Sequence, residues 1–355
     1  MKLFKNGSLF FLISLIFVNC IEKKKDNPED YVKILNNETE QKVDVLINDQ
    51  IFTSYLYRDN IPVLKKTVLY PIVASNGVTI TRGFPLETRP GERTDHPHHI
   101  GAWFNYGDAN GIDYWNNSDA INEEHKHKMG IIRHDQIIEI IDGNSKGELL
   151  VSANWLKPDG EILLKEKSKF IFYSQTNQRM IDRIATLTAE KEHVLFNDNK
   201  EGAFAIRVAR QLEHPSDHPV KLSDMHGKET DVPVLNNEGV SGNYLSSEGI
   251  EGMDVWGKRA KWIALDGVIN NKEVTVVIFD NPKNVGYPTY WHARGYGLFA
   301  ANPFGQNVFS EGKESLNYSL KAGDSVTFKY RILIIDGEKN KKKIESEYQK
   351  FIKEN

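Results

Sequence analysis

The densest chemistry in this sequence is Thr94-Asp95-His96-Pro97-His98-His99, with Trp103 close behind. Three of the eleven histidines fall within four residues there. An imidazole with an ordinary pKa of about 6.5 exchanges protons near neutrality and also ligates metals. Pro97 fixes its own φ and favours an extended conformation at the preceding residue. In an extended segment His96 and His98 point one way, and Asp95 and His99 the other. Two uses follow: His96 and His98 sharing a ligand or metal, and His99 with Asp95 forming a hydrogen-bonded pair.

Three further stretches carry similar residue types. Gly107-Asp108 and Gly111-Ile112-Asp113-Tyr114-Trp115 bring carboxylates beside aromatics. A flat aromatic ring can stack on the apolar face of a sugar while Asp113 takes its hydroxyls. Lys200-Glu201-Gly202 through Arg207 offers Glu201 as general acid or base, with Arg207 placed to hold it ionised. Pro288 to Phe304 packs Tyr290, Trp291, His292 and Arg294 between turn residues. His134, near a strand beginning, is a further metal candidate with His96 and His98. His125 and His127 lie among Glu123, Glu124, Lys126 and Lys128 and read as surface residues.

The elements that must position these groups are mostly strands. Period-two alternation, punctuated by turn residues, dominates from about Val32 to Gly337. Val43–Ile47 and Ile51–Tyr57 read as an opening pair. Leu149–Trp155 runs through Pro158-Asp159-Gly160 into Ile162–Tyr173 as a hairpin. Lys261–Ala264 and Val274–Phe279 form a second around Asn270-Asn271, and Leu316–Leu320 with Val326–Ile335 a third. Irregular stretches are expected near residues 83–110 and 214–257, and loops of that length on a β scaffold are usually functional. Ile344, Tyr348 and Phe351 recur at helical spacing, so the chain ends in a short helix.

Composition narrows the class. With 45 Lys+Arg against 49 Asp+Glu the net charge is -4, which argues against a dedicated nucleic-acid binder. The single cysteine, Cys20, excludes a disulfide framework. Lys2 and Lys5 precede an apolar run from Leu9 to Val18 that ends at Asn19-Cys20. That run is too short to span a bilayer and has the make-up of an export signal. It resembles a bacterial lipoprotein signal, which implies residues 1–19 as signal peptide and Cys20 as the lipidated N-terminus. The implied location is export, with a lipid anchor as the sole membrane attachment. Residues 20–31 then read as a charged tether and residues 32–355 as one β domain. No phosphate loop, dinucleotide fingerprint or nucleophile elbow is present, so no organic cofactor is expected.

Taken together, the segments at Asp95–His99, Gly107–Trp115, Lys200–Arg207 and Pro288–Gly305 resemble one bacterial family, the domain of unknown function 6807. The resemblance spans roughly Val43 to Gly337. Ile100 stands where that family commonly has Arg, and Gly295 where Asp is common. The family's other label, methane oxygenase, does not suit a chain with no long apolar segment after Cys20. The pattern also looks like the galactose-mutarotase type of fold, an all-β, large antiparallel supersandwich. That likeness implies carbohydrate binding or processing by His, Arg and carboxylate groups on a concave sheet face. The leading expectation is acid/base chemistry by His99, Glu201 and His292, as in glycoside cleavage or epimerisation. Asp95, His96, His98, Trp103, Asp113, Trp115, Arg207 and Arg294 would hold the sugar. The alternatives are a non-catalytic glycan-binding lipoprotein and a cupin-like enzyme whose divalent metal sits on His96, His98, His134 and Glu201.

Overall fold

The computed structural model describes residues 30–354. The signal stretch, Cys20 and all but the end of the tether lie outside the described residues. Two antiparallel sheets face each other. The nine-stranded sheet runs, in spatial order, Tyr290–Arg294, Leu298–Asn302, Gly202–Arg207, Ala102–Tyr106, Val68–Ile72, Gln50–Leu56, Lys42–Ile47, Tyr31–Asn37 and Gly143–Asn144. The eight-stranded sheet runs Asn243–Ser246, Trp262–Ile269, Lys272–Asp280, Ser325–Asp336, Gln178–Ala189, Ile162–Gln175, Lys146–Leu156 and Ile131–Ile141. The shared core interleaves Phe104, Phe204, Ile206 and Phe299 from one sheet with Phe170, Ile278, Phe328 and Tyr330 from the other. This is the all-β antiparallel sandwich that the alternation predicts.

The C-terminal helix, Lys341–Glu354, buries Ile344, Tyr348 and Phe351 on the far side of the eight-stranded sheet, against Trp262, Phe279 and Leu333. The far side of the nine-stranded sheet carries a separate apolar layer of Val68, Trp103, Trp115, Ala205, Leu298 and Ala300. That second layer is the platform of the candidate site.

The first two expected hairpins form. Asn270 and Asn271, both at positive φ, turn Trp262–Ile269 into Lys272–Asp280. The third does not. Tyr318–Leu320 pairs with Val194–Phe196 as a separate ribbon, and Ser325–Asp336 joins Gln178–Ala189. The turn at Ala322-Gly323-Asp324 is bonded to Ala189 at both Gly323 N–H and the Asp324 carbonyl, which hands the chain to the neighbouring sheet. Residues 83–110 are not wholly irregular, since Ala102–Tyr106 is a central strand. An additional strand, Tyr31–Asn37, precedes the pair read as the opening one. Among the described residues, no helix is long and apolar enough to cross a membrane.

Candidate functional site

The platform is built by register. His292 pairs with Ala300, Ala300 with Ala205, Ala205 with Trp103, and Trp103 with Val68. These side chains share one face across five strands, because register partners in an antiparallel sheet lie on the same side. The two alanines keep the middle of the row low, and Trp115 packs into the layer above them. One row along, Arg294 pairs with Leu298, and Leu298 with Arg207.

The histidine segment lies over this platform as a tight turn. His99 N–H donates to the His96 carbonyl at 2.9 Å, with Pro97 in the second position, which it favours. His96 sits at φ +46°, a left-handed conformation costing about 1–3 kcal/mol for a non-glycine residue. Arg82 supplies the compensation. Its guanidinium, sealed from solvent, donates to the carbonyls of Arg93, Asp95, His96 and His99 and to Asp95 Oδ1. The expectation of an extended segment with opposed imidazoles is therefore overturned. The rings of His96 and His99 stack 4.8 Å apart and 2° from parallel, and His98 packs edge-on to His99 at 4.3 Å. Trp103 continues the stack below His99 at 5.3 Å, and Tyr296 above His96 at 4.9 Å.

Asp95 does not pair with His99. Its Oδ1 accepts from Arg82 at 2.9 Å and from Arg207 at 2.7 Å. Burial opposes its ionisation, but Arg207 and Arg82 outweigh burial and hold the carboxyl far below its usual range. Arg207 also donates to His99 Nδ1 at 3.3 Å and lies over the Tyr296 ring at 4.7 Å. An arginine can only donate, so His99 Nδ1 is the acceptor and its proton rides on Nε2. Burial and the neighbouring cations keep His99 neutral and His98 down at about 2.

Glu201 and His292 close the other end of the row. Glu201 does not meet Arg207 and instead lies 3.4 Å from Lys200 Nζ and 3.6 Å from His292 Nδ1. Its backbone is fixed by Gly107, whose N–H donates to the Glu201 carbonyl at 2.8 Å. A Cβ at Gly107 would stand 2.9 Å from the Glu201 Cβ, so only glycine permits this approach. Burial raises the Glu201 carboxyl above its ordinary pKa of 4.5, and Asp113 adds to the rise. His292 Nδ1 donates to the Lys200 carbonyl at 2.9 Å. That fixes the tautomer and leaves Nε2 as the basic nitrogen, bonded to no atom among the described residues and not sealed off. Burial, then Arg294, lowers His292 to about 3, so it is neutral at physiological pH.

Several expected roles change. Trp103 and Trp115 are fully buried, so neither face is open to a sugar. Both support the imidazoles from beneath. His99 is likewise a positioning group rather than one in contact with substrate, because its Nδ1 accepts from Arg207 and its Nε2 is enclosed. Asp113 spends both oxygens on the turn that places Trp115, accepting from the Trp115 and Asn116 amides and the Asn116 side chain. His134 does not join the cluster; it stacks on Tyr57 at 4.2 Å and contacts the Tyr55 hydroxyl at 3.2 Å. Among the described residues no three His, Cys, Asp or Glu groups are placed to hold a metal, and the set His96, His98, His134 and Glu201 does not assemble. His125 and His127 are on the surface, as read.

Three participants escaped the sequence reading: Arg82, Lys66 and Tyr296. Lys66, 4% exposed, donates to the His98 carbonyl at 2.7 Å and lies 5.3 Å from the Trp103 ring centre. Burial lowers its ammonium to about 7, with Asp113 partly offsetting. A signal existed for two of them. Lys66 has the parity of Val68 and Tyr70, and Arg82 that of Val78 and Ile80, so each occupies an apolar phase of the alternation. Tyr296 tips the hairpin between the two last strands of the sheet, where Gly297 at φ +82° closes the turn with an N–H to the Arg294 carbonyl.

The profile of a family of unknown function, DUF6807, matches residues 42–349. The chain belongs to this family. No curated protein matches it. Solved structures similar to this DUF6807 chain include a GH36 α-galactosidase of Geobacillus stearothermophilus, at 11% identity and a TM-score of 0.41. That match covers 87% of this chain and 41% of the galactosidase, so the chain spans about two-fifths of that enzyme's length. Galactose 1-epimerase of Lactobacillus acidophilus matches at 8% identity and a TM-score of 0.36, over 87% of this chain and 98% of that one.

Proposed function

We propose that this DUF6807 protein processes carbohydrate by general acid/base chemistry on the outer face of its nine-stranded sheet. The observation that carries this reading is the pairing of Glu201 with His292. One is a carboxyl raised by burial; the other is a neutral imidazole with its Nε2 lone pair left open. Groups of unlike proton affinity held side by side suit proton transfer to and from a substrate, which typically contributes about 10²–10⁴ in rate. Tyr296 and His96 form the aromatic wall beside this pair, and Arg294 stands exposed at its edge.

Carboxylate availability separates the two reactions expected. Glycoside cleavage by a carboxylate pair needs two uncommitted groups about 5–10 Å apart. Here Asp95 is locked by two arginines and Asp113 by its turn, which leaves Glu201. The inventory therefore favours an epimerase-like or elimination-type proton transfer over two-carboxylate hydrolysis. Incubating the protein with a panel of oligosaccharides in D₂O tests this. Solvent deuterium at a sugar carbon, or a new unsaturated sugar end absorbing in the ultraviolet, supports proton transfer, and release of saturated reducing ends without exchange opposes it.

We also propose export with a lipid anchor at Cys20, on the strength of Lys2, Lys5, the apolar run and the cysteine that ends it. Cys20→Ser should release the protein from the membrane fraction or block its maturation. Unchanged fractionation and maturation would refute the anchor.

A further inference from the structure

We infer that the sugar handled at this site carries a negative charge, an inference that rests on the carbohydrate reading and narrows its substrate class. The ground is the charge balance of the buried groups. Arg82 and Arg207, both sealed from solvent, share a single oxygen of Asp95. Arg93 and Arg210, both buried, share a single oxygen of Glu213, at 2.6 and 2.5 Å. With Glu92, a buried third carboxylate that also acts on Arg82, these four guanidiniums face three carboxylates, so the cluster holds one more cation than anion. An excess of buried positive charge is costly, and a fold that keeps one beside its site is suited to an anion arriving there.

The cluster borders open space. Arg93, Thr94 and Asp95 line a cavity of about 210 Å³ with Val220 and Lys221. Arg93 is also on the wall of a second cavity of about 480 Å³, which is the size of a small-ligand site. Arg294 and Tyr296 form part of its lining, with His214, His218 and the exposed Trp256. Tyr296 is the partition between this cavity and the proton-transfer pair, since its ring stacks on His96 and takes Arg207 at 4.7 Å and Arg294 at 5.7 Å. The Arg294 guanidinium is exposed and makes no hydrogen bond or ion pair within the described residues, and it lies over the Tyr296 ring. Asp217 is the one carboxylate on the larger cavity's wall, against Arg93 and Arg294. Trp256 packs edge-on to Phe309, which in turn contacts His292, so an aromatic path joins the cavity to the reacting end. A sugar unit seated on Trp256 with its anionic substituent on Arg294 would occupy this cavity. A carboxylate and a sulfate ester share the required chemistry.

The test compares three disaccharides of one sugar, neutral, carboxylated as the uronic acid, and sulfated, by calorimetry at low salt. A charge-assisted bond to arginine predicts roughly ten- to hundredfold tighter binding of an anionic form than of the neutral one. Preference for the uronate alone identifies the planar carboxylate as the group read, and preference for the sulfate alone identifies the ester. Arg294→Ala should collapse the anionic-to-neutral ratio toward one, and Arg294→Lys should keep much of it. Because the Arg294 side chain bonds no atom among the described residues, both variants should melt with the parent. Raising the salt should shrink the ratio. If the neutral disaccharide binds as well as both anionic ones, the charge inference falls and the carbohydrate reading stands. If none of the three binds, both fall.

Discussion

Lys66 offers a direct physical test of the site's construction, because its ammonium is buried without a salt-bridge partner among the described residues. The perturbation is Lys66→Met, which keeps the apolar stem and removes the charge. Burial lowers the lysine from its ordinary 10.5 to about 7. The sign follows from proton counting. Between about pH 7 and 10.5 the unfolded chain holds the proton and the folded chain has released it, so stability rises with pH across that window. At 1.36 kcal/mol per pH unit the whole window is worth about 5 kcal/mol, and the portion from pH 7 to 9 about 2 kcal/mol. Removing Lys66 also strips the His98 carbonyl of its donor, at about 1–3 kcal/mol, but that loss is the same at every pH. The informative quantity is therefore the difference in slope. Urea unfolding of parent and variant at pH 7, 8 and 9 should show the parent gaining about 2 kcal/mol more than Lys66→Met. Parallel curves would refute the claim that this lysine is carried at a cost in the folded state.

Two further outcomes follow from the same geometry. Trp115→Ala should cost about 3–5 kcal/mol in unfolding measurements, because the fully buried ring supports the imidazole stack and leaves a cavity when removed. A loss under about 1 kcal/mol would show that the platform is not packed as described. Nitrogen-15 NMR of labelled histidine should show His292 neutral, with its proton on Nδ1, down to about pH 4. The same depressed value means that its neutral form supports the fold above pH 6.5 and that this support is lost progressively as pH falls toward about 3. Titration of His292 near pH 6.5 would contradict its burial.

The architecture was legible because alternation is local. Leu149–Trp155 and Ile162–Tyr173 announce a hairpin through nothing more distant than Pro158-Asp159-Gly160. The same holds for Ile344, Tyr348 and Phe351 on the final helix. Partners at long range were not legible. Glu201 and Arg207 are six residues apart and share a strand region, yet sheet order gives Arg207 to Asp95, 112 residues away, and Glu201 to His292. Pro97 argues for an extended His96, but with four carbonyls gathered by a remote Arg82 that residue is left-handed instead. Trp103 and Trp115 were read as sugar platforms from their type alone. Their burial depends on a second apolar layer assembled from Leu64, Ala205 and Leu298, which no local pattern reveals.

The central claim, that Glu201 exchanges a proton with bound sugar, is tested most directly by Glu201→Gln. The substitution keeps the shape beside His292 and removes the titratable group. On a sugar that the parent turns over, the account predicts a fall of roughly 10²–10⁴ in kcat with binding affinity largely kept and melting unchanged. Turnover equal to the parent's, in a folded variant that binds the same sugar, would contradict it.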